Sequence, residues 1–374
     1  MRITIVTPSL SAGGAERSVV LLSEEFLKNG HAVTVVTLSG VATDSFKLAE
    51  GIDRVALDLA AYSPSVIHGL FRNLHRLAVL RRRIRGTHPQ IVVSNMSQAN
   101  VLTRLALANT RCPVVMVEHS DPAVNVHKRI WKLLRRVIYM RSAKLVSVSG
   151  SIDDYFTWLP KSRKSIIPNP VRYATSCSSL NPLSLDLRQN EKCVVAMGRL
   201  VPVKGFDLLL SAFAKVAQEH PDWHLAILGE GELKSELECL IARLNLKKRV
   251  SLKGFVTDPF TIFKHCEFFV MSSRSEGFPH ALLEAMAAGL PAVATECTSG
   301  VSEIVRDGID GILVPVGDVQ ALATAMGQLM GDANWRRQLA MRAPEVVERF
   351  GMGKIVRQWE NLFASVVKDW PSVE

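Results

Sequence analysis

The chain has 374 residues, 48% of them hydrophobic, a length that suits two α/β domains better than one core. The apolar residues come in short runs with no stretch of about eighteen or more, which argues against a membrane-spanning helix. The six cysteines lack the spacing of a disulfide framework or a zinc site, and no zinc finger, helix-turn-helix or aromatic-rich sheet motif accompanies the net charge of +10, so nucleic acid is not an expected partner.

Short β-branched runs alternate with longer amphipathic stretches, the pattern of parallel sheets covered by helices. The segment Met1–Pro8 is too short in apolar residues for a signal peptide and reads as a first strand, so a cytosolic protein is expected. Predicted strands follow at Arg2–Pro8, Ala32–Leu38, Arg54–Leu59, Ile91–Ser94, Val114–Glu118, Leu145–Ser149 and Ser165–Ile167. After Tyr173–Asn190, rich in Ser, Asn and Leu and without periodicity, the pattern restarts with Cys193–Met197, His224–Leu228, Val250–Lys253, Phe268–Met271, Ala292–Ala294 and Gly311–Val314. The predicted organisation is a Rossmann-like domain over 1–172, a linker over 173–190, a second Rossmann-like domain over 191–353, and a C-terminal helix over 354–374 packing back on the first domain.

The charge is lopsided. Residues 1–172 hold 24 Lys and Arg against 11 Asp and Glu, net +13, and the remainder holds 21 against 24, net −3. Much of the excess lies in Arg72–Arg85 and Lys128–Lys144, where apolar residues are interleaved at helical spacing. Such segments suit an anionic membrane surface or anionic substrate, and equally a solvated helix face. The cations concerned are Arg72, Arg76, Arg81, Arg82, Arg83, Lys128, Arg129, Lys132, Arg135 and Arg136.

In an open α/β sheet, ligands bind beyond the carboxyl ends of the strands, so the loops that follow strands are searched first. After the first strand, Gly13-Gly14-Ala15-Glu16-Arg17 leads into a helix, which suits close approach to an anion or simply a tight turn. A dinucleotide dehydrogenase is excluded, because Gly-x-Gly-x-x-Gly is missing and the second strand lacks an acidic ribose ligand. Gly198-Arg199-Leu200-Val201-Pro202-Val203-Lys204-Gly205-Phe206 places two cations five residues apart, suited to converge on one diphosphate. Gly229-Glu230-Gly231-Glu232 suits a nucleotide contact or a turn. Glu276 precedes and Glu284 lies inside a helix bounded by Pro279 and Gly289, near enough for both carboxylates to accept sugar or ribose hydroxyls from one ligand.

The stretches around Gly198–Phe206 and Glu276–Pro291, with seven residues between the glutamates, resemble the signature of retaining GT-B glycosyltransferases of the group 1 family. Gly13–Arg17, Glu118-His119-Ser120, Val148-Ser149 and Ile167-Pro168-Asn169-Pro170 extend the resemblance over essentially the whole chain. It implies two Rossmann-like domains facing across a cleft. It implies further that Arg199 and Lys204 bind the donor diphosphate in place of a metal, and that Glu284 holds the ribose. Glu276 with the Gly277-Phe278 backbone would hold the sugar, Gly13, Gly14 and Gly229 would lie in the donor site, and His119 would sit near the reacting carbon. No cofactor is expected beyond the nucleotide-sugar substrate, with UDP the family's commonest nucleotide. The subgroup most similar to this chain acts on polyprenyl-diphosphate-linked or other glycan acceptors, which predicts a peripheral protein on the inner face of the plasma membrane. Leu70–Ile84 and Ile130–Ile138 are its expected membrane-facing helices. Two other functions fit a protein of this architecture: a non-hydrolysing nucleotide-sugar epimerase, and a non-catalytic nucleotide- or lipid-binding subunit.

Overall fold

The computed structural model describes residues 1–59, 66–120, 129–172 and 191–370, and the side chains of 66–73, 129–131 and 299 lie outside that description. The predicted linker over 173–190 also lies outside it, as do Lys128 and the side chains of Arg72 and Arg129. Two compact units are present, one formed by Met1–Pro170 with the chain from Met352 onward, the other by Val171–Gly351.

The first unit is a seven-stranded sheet of β1 (Arg2–Thr7), β2 (Ala32–Thr37), β3 (Asp53–Ala56), β4 (Ile91–Asn95), β5 (Val114–Glu118), β6 (Lys144–Ser147) and β7 (Lys164–Ile166), in the order β3-β2-β1-β4-β5-β6-β7. Every pairing is parallel. The strands are apolar on both faces because helices cover both; Ile5, Val35, Val92 and Val115 are fully buried. Four long helices of this unit matter below: α1 (Gly14–Lys28), α2 (Val66–Gly86), α3 (Ser97–Ala106) and α4 (Arg129–Tyr139). The third strand ends three residues before its predicted limit, because Asp58 turns to φ +51, a left-handed value foreign to a strand.

The C-terminal helix Met352–Asp369 lies against α1. Phe363 meets Phe26 with ring centroids 5.4 Å apart, and Glu360 accepts from Asn29 and pairs with His31 at 3.1 Å. Among the described residues, no helix is long and apolar enough to cross a membrane.

The second unit is a six-stranded parallel sheet of β8 (Lys192–Met197), β9 (Trp223–Leu228), β10 (Val250–Leu252), β11 (Phe268–Met271), β12 (Ala292–Thr295) and β13 (Gly311–Val314), in the order β10-β9-β8-β11-β12-β13. Leu209 and Phe213 from the helix Phe206–Val216, with Leu322 and Met326 from Val319–Gly331, fill the space over Val194, Ile227 and Val270. Fully burying side chains of this size contributes about 1.5–3 kcal/mol each.

Both sheets reverse their winding direction once, between β1 and β4 and between β8 and β11. Loops leaving those strands diverge to opposite sides of the sheet and open a crevice between them. The chemistry-bearing segments found in the sequence follow these strands or their immediate neighbours.

Candidate active site

In the second unit, the loop after β8 carries Arg199 and Lys204 and the loop after β11 carries Glu276. Pairing of β8 with β11 brings together residues 72 positions apart: Lys204 Nζ lies 2.5 Å from Glu276 Oε1, with the side chains 20% and 11% exposed. Ser273 Oγ donates to the same oxygen at 2.6 Å. Oε2 of Glu276 takes no hydrogen bond from a described residue, which leaves it as an acceptor for a ligand hydroxyl. Arg199 is exposed and pairs with no described residue. One cation is therefore held by the protein and one stands ready for an anion.

Backbone contacts hold the loops in register. The Arg274 N–H donates to Val203 O at 2.7 Å, and Ser272 Oγ donates to Lys204 O at 3.1 Å. From the other side, the Leu200 N–H donates to Glu230 O at 2.8 Å. Such approaches require glycine: a Cβ on Gly229, at φ +140, would sit 1.9 Å from Gly198 O. Gly229 thus serves the packing of the β9 loop on the β8 loop, whatever else it touches. Arg274, which the sequence did not single out, clamps the first turn of the Phe206–Val216 helix through both oxygens of Asp207 at 2.8 and 2.6 Å. That bidentate contact holds the Asp207 carboxyl below the ordinary carboxylate range.

Phe278 turns inward, 3% exposed, with its ring 5.0 Å from that of Phe350, so only the backbone of Gly277-Phe278 remains for a ligand. Glu284 lies one turn into the helix His280–Ala287 and is 4% exposed among buried Leu282, Leu283 and Met286. That helix stops where the spacing predicts, with Gly289 at φ +93 just past its end. Cys297, from the β12 loop, has its thiol pushed up to about 12, by burial first and then by the negative charge of Glu276 nearby. It is therefore no nucleophile at neutral pH.

In the first unit, Gly13 precedes α1 and Gly14 opens it. The buried Glu16 carboxylate folds back over this turn, accepts from Ser9 Oγ at 3.3 Å, and would lie 2.2 Å from a Cβ on Gly13. A tight turn over a carboxylate is thus what Gly13 allows here.

His119 follows β5, and its Nε2–H donates to Asn95 Oδ1, 3.0 Å away at the end of β4. Asn169 and Trp359 line the same small cavity, about 20 Å³, room for roughly one water. Burial lowers the His119 pKa to about 4, against a weaker opposing pull from Asn169, so the ring is neutral across the physiological range. Met96, the next residue after Asn95, sits at φ +73, a strained value of about 1–3 kcal/mol for a non-glycine residue. Asn95 carried no signal in the sequence, whereas Asn169 lies in the Ile167–Pro170 segment that bears the family resemblance.

The unfolded chain binds the His119 proton below about pH 6.5, whereas the folded chain does so only below about pH 4. Stability is therefore full above pH 6.5 and falls as pH drops through that window, by about 3 kcal/mol from this residue. His119→Gln keeps a donor for Asn95 and removes the titration. We expect its melting temperature to decline less than that of the wild type between pH 7 and pH 4.5, and parallel declines would refute the assignment.

Glu118, just before His119, is 2% exposed and accepts from Ser97 Oγ at 2.9 Å, Asn100 Nδ2 at 3.2 Å and the Tyr139 hydroxyl. Burial raises its pKa, and these donors oppose the rise.

Of the basic residues, Arg82, Arg83, Lys132 and Arg136 are exposed, and Arg76 and Arg81 are half-buried. The expectation for Arg135 is corrected. It is 2% exposed, with its guanidinium over the rings of Tyr155 and Phe156 at 5.1 and 5.6 Å, and it cannot meet a membrane surface.

A cation and a carboxylate on facing loops at the winding reversal of a doubly wound sheet, in a chain with two such sheets, define a two-domain Rossmann-like protein of the GT-B class. Residues 12–174 match glycosyltransferase family 4 and residues 181–346 match glycosyl transferases group 1. An N-acetylgalactosamine-N,N'-diacetylbacillosaminyl-diphospho-undecaprenol 4-alpha-N-acetylgalactosaminyltransferase of Campylobacter jejuni is 30% identical over 68% of each chain. An alpha-1,4-N-acetyl-D-galactosaminyltransferase of the same organism, named for a GalNAc- and diNAcBac-bearing PP-undecaprenol, is 26% identical over 98% of this chain and 99% of its own. The fold is shared with Anabaena HepE solved with UDP and glucose, with a TM-score of 0.80 and 21% identity over 98% of this chain and 100% of that one. The chain belongs to the group 1 glycosyltransferases and is a glycosyltransferase.

Proposed function

We propose that this protein is a retaining transferase that moves a hexose or N-acetylhexosamine from a UDP-sugar to a polyprenyl-diphosphate-linked or other glycan acceptor at the cytosolic membrane face. The observation that carries the reading is the Lys204–Glu276 pair, with Arg199 on the same loop as Lys204 and free of any partner among the described residues. Two cations can neutralise a leaving diphosphate without a metal, while Glu276 Oε2 accepts a sugar hydroxyl. Glu284 serves the ribose and the Gly277-Phe278 backbone the sugar, as the family resemblance assigns them, and the same resemblance gives Gly14 and His119 their part. The UDP and glucose bound to HepE support the donor, and the undecaprenyl substrates named for the two Campylobacter enzymes support the acceptor.

In the reaction proposed, the bond from the sugar C1 to the diphosphate oxygen breaks and an acceptor oxygen bonds C1 on the same face. The departing diphosphate takes the acceptor proton. His119 is neutral at pH 7, with its Nε2–H engaged by Asn95 Oδ1, and in this reading it acts by position.

The basic first unit supports a membrane location. Leu133, Val137 and Met140, at 66%, 45% and 46% exposed, form one stripe along and just past α4, with Lys132 and Arg136 beside it. Apolar side chains flanked by cations suit the headgroup boundary of an anionic bilayer. Leu133→Asp/Val137→Asp should lower sedimentation with anionic vesicles, and unchanged sedimentation would remove the membrane from the reading.

The function is tested by incubating the protein with UDP-glucose, UDP-galactose and their N-acetylhexosamine analogues, with and without an undecaprenyl-diphosphate-linked glycan and with chelator present. An α-linked product, by proton NMR of the anomeric centre, is expected. A β-linked product overturns retention, epimerised donor without acceptor makes the protein an epimerase, and absence of turnover with preserved UDP binding makes it a binding subunit.

A further inference from the structure

Arg199, Lys204, Glu276 and His119 follow the carboxyl ends of strands. At the opposite edge of the first sheet lies a separate cavity of about 470 Å³, within the roughly 300–1,000 Å³ usual for small-ligand sites. Its walls carry Arg2 from the start of β1, Arg81 and Arg85 from the last turns of α2, His88 just beyond, and Arg111 from the approach to β5. No carboxylate lines it among the described residues.

Several arginines elsewhere in the chain are neutralised by the protein itself. Arg54, Arg274, Arg306 and Arg336 each reach a carboxylate within 3 Å. By contrast, the side chains of Arg81, Arg85 and Arg111 make no ion pair or hydrogen bond with a described residue, and the Arg2 guanidinium donates only through Nε, to His88 O at 2.6 Å. Cations in the last turn of a helix offset its carbonyl end, which accounts for Arg85. It does not account for Arg2 and Arg111, which lie on a strand start and a loop. Like charges gathered round one concavity repel unless an anion joins them.

We propose that this cavity is a second anion site, independent of the donor site and of the function proposed above, and that its ligand is a phosphate-bearing group of the diphosphate or phosphomonoester class. Guanidinium groups bind such oxygens in bidentate fashion, and several round one cavity select for multiple charge over chloride or acetate.

Inorganic pyrophosphate is the probe. Because it also suits the loop of Arg199 and Lys204, the titration is run by calorimetry on the Arg199→Ala/Lys204→Ala protein at about 0.15 M salt, which screens diffuse attraction. We expect binding that weakens at least about tenfold when Arg85→Gln/Arg111→Gln is added, since each substitution removes a charge-assisted hydrogen-bond donor. No binding to the first variant, or equal binding by both, overturns the proposal. Should the combined variant fail to fold, the wild type gives a second reading. Two bound pyrophosphates falling to one in Arg85→Gln/Arg111→Gln supports the site, and an unchanged number refutes it.

Phosphatidylcholine vesicles with and without phosphatidic acid separate the sources. Pyrophosphate-competed sedimentation that needs phosphatidic acid and Arg85 and Arg111 assigns the site to a lipid headgroup. Pyrophosphate binding without such competition assigns it to a soluble anion.

Discussion

Lys204→Ala is expected to lower kcat/KM for sugar transfer by about 10²–10³, the usual cost of removing one preorganised group that stabilises charge developing on a leaving oxygen. Nucleotide release from the UDP-sugar acceptor assay measures it. The side chain has two ties: it faces the loop expected to hold the diphosphate, and it is bonded to Glu276 at 2.5 Å. Removing it also strands a carboxylate that is 11% exposed, which is a second cause of loss located at Glu276. Lys204→Ala/Glu276→Gln separates the two causes. Recovery of most activity in the double variant would mean that the lysine merely neutralises Glu276. We expect none, because the diphosphate still lacks its cation. Folding should lose roughly 1–3 kcal/mol in Lys204→Ala, because Glu276 keeps its charge without its cation, and less in the double variant, where that charge is gone.

Gly229→Ala is expected to be the most destabilising single-methyl change near the site, costing about 3 kcal/mol or more. Two independent penalties coincide. The φ of +140 is closed to an L side chain, and the added Cβ would meet the carbonyl oxygen of Gly198 at 1.9 Å, a backbone atom that cannot swing aside. Relief requires the β9 loop to withdraw from the β8 loop, which breaks the Leu200 to Glu230 hydrogen bond. The melting temperature should fall by several degrees, and UDP binding, read by thermal shift, should weaken with it. Gly289→Ala provides the contrast: its φ is +93, but no atom lies within 4 Å of the added carbon, so only the conformational part of the cost applies. Equal losses in the two variants would show that close packing of the loops is not what Gly229 provides.

The thirteen strands and the restart of the pattern in the second half were legible because each strand is a short apolar run bounded by turn residues. The third strand was drawn too long, since nothing in Arg54–Leu59 marks Asp58 as left-handed. Among site residues, the sequence showed that Lys204 and Glu276 each follow a strand. It did not show that they touch, which depends on β11 returning to the side of β8 left open by β9. His119 was visible only through family resemblance, and its neutrality rests on burial, which the contact with Asn169 opposes only in part. Arg135 was misassigned for a related reason. Helical spacing groups cations on an element but does not say which of them the neighbouring Tyr155 and Phe156 draw inward.

The return of Met352–Asp369 to α1 also sets a schedule for biosynthesis. Phe26 and His31 leave the ribosome before the second unit is made, while their partners Phe363 and Glu360 are made after it. Between Pro170 and Met352 the whole second unit must be translated, which at about 5–20 residues per second takes roughly 10–40 s. Throughout that interval the first unit has its sheet but not the helix that covers α1. The nascent chain therefore presents an uncovered apolar surface around Phe26 until Met352–Asp369 emerges, and that surface is where a chaperone would be expected to hold it.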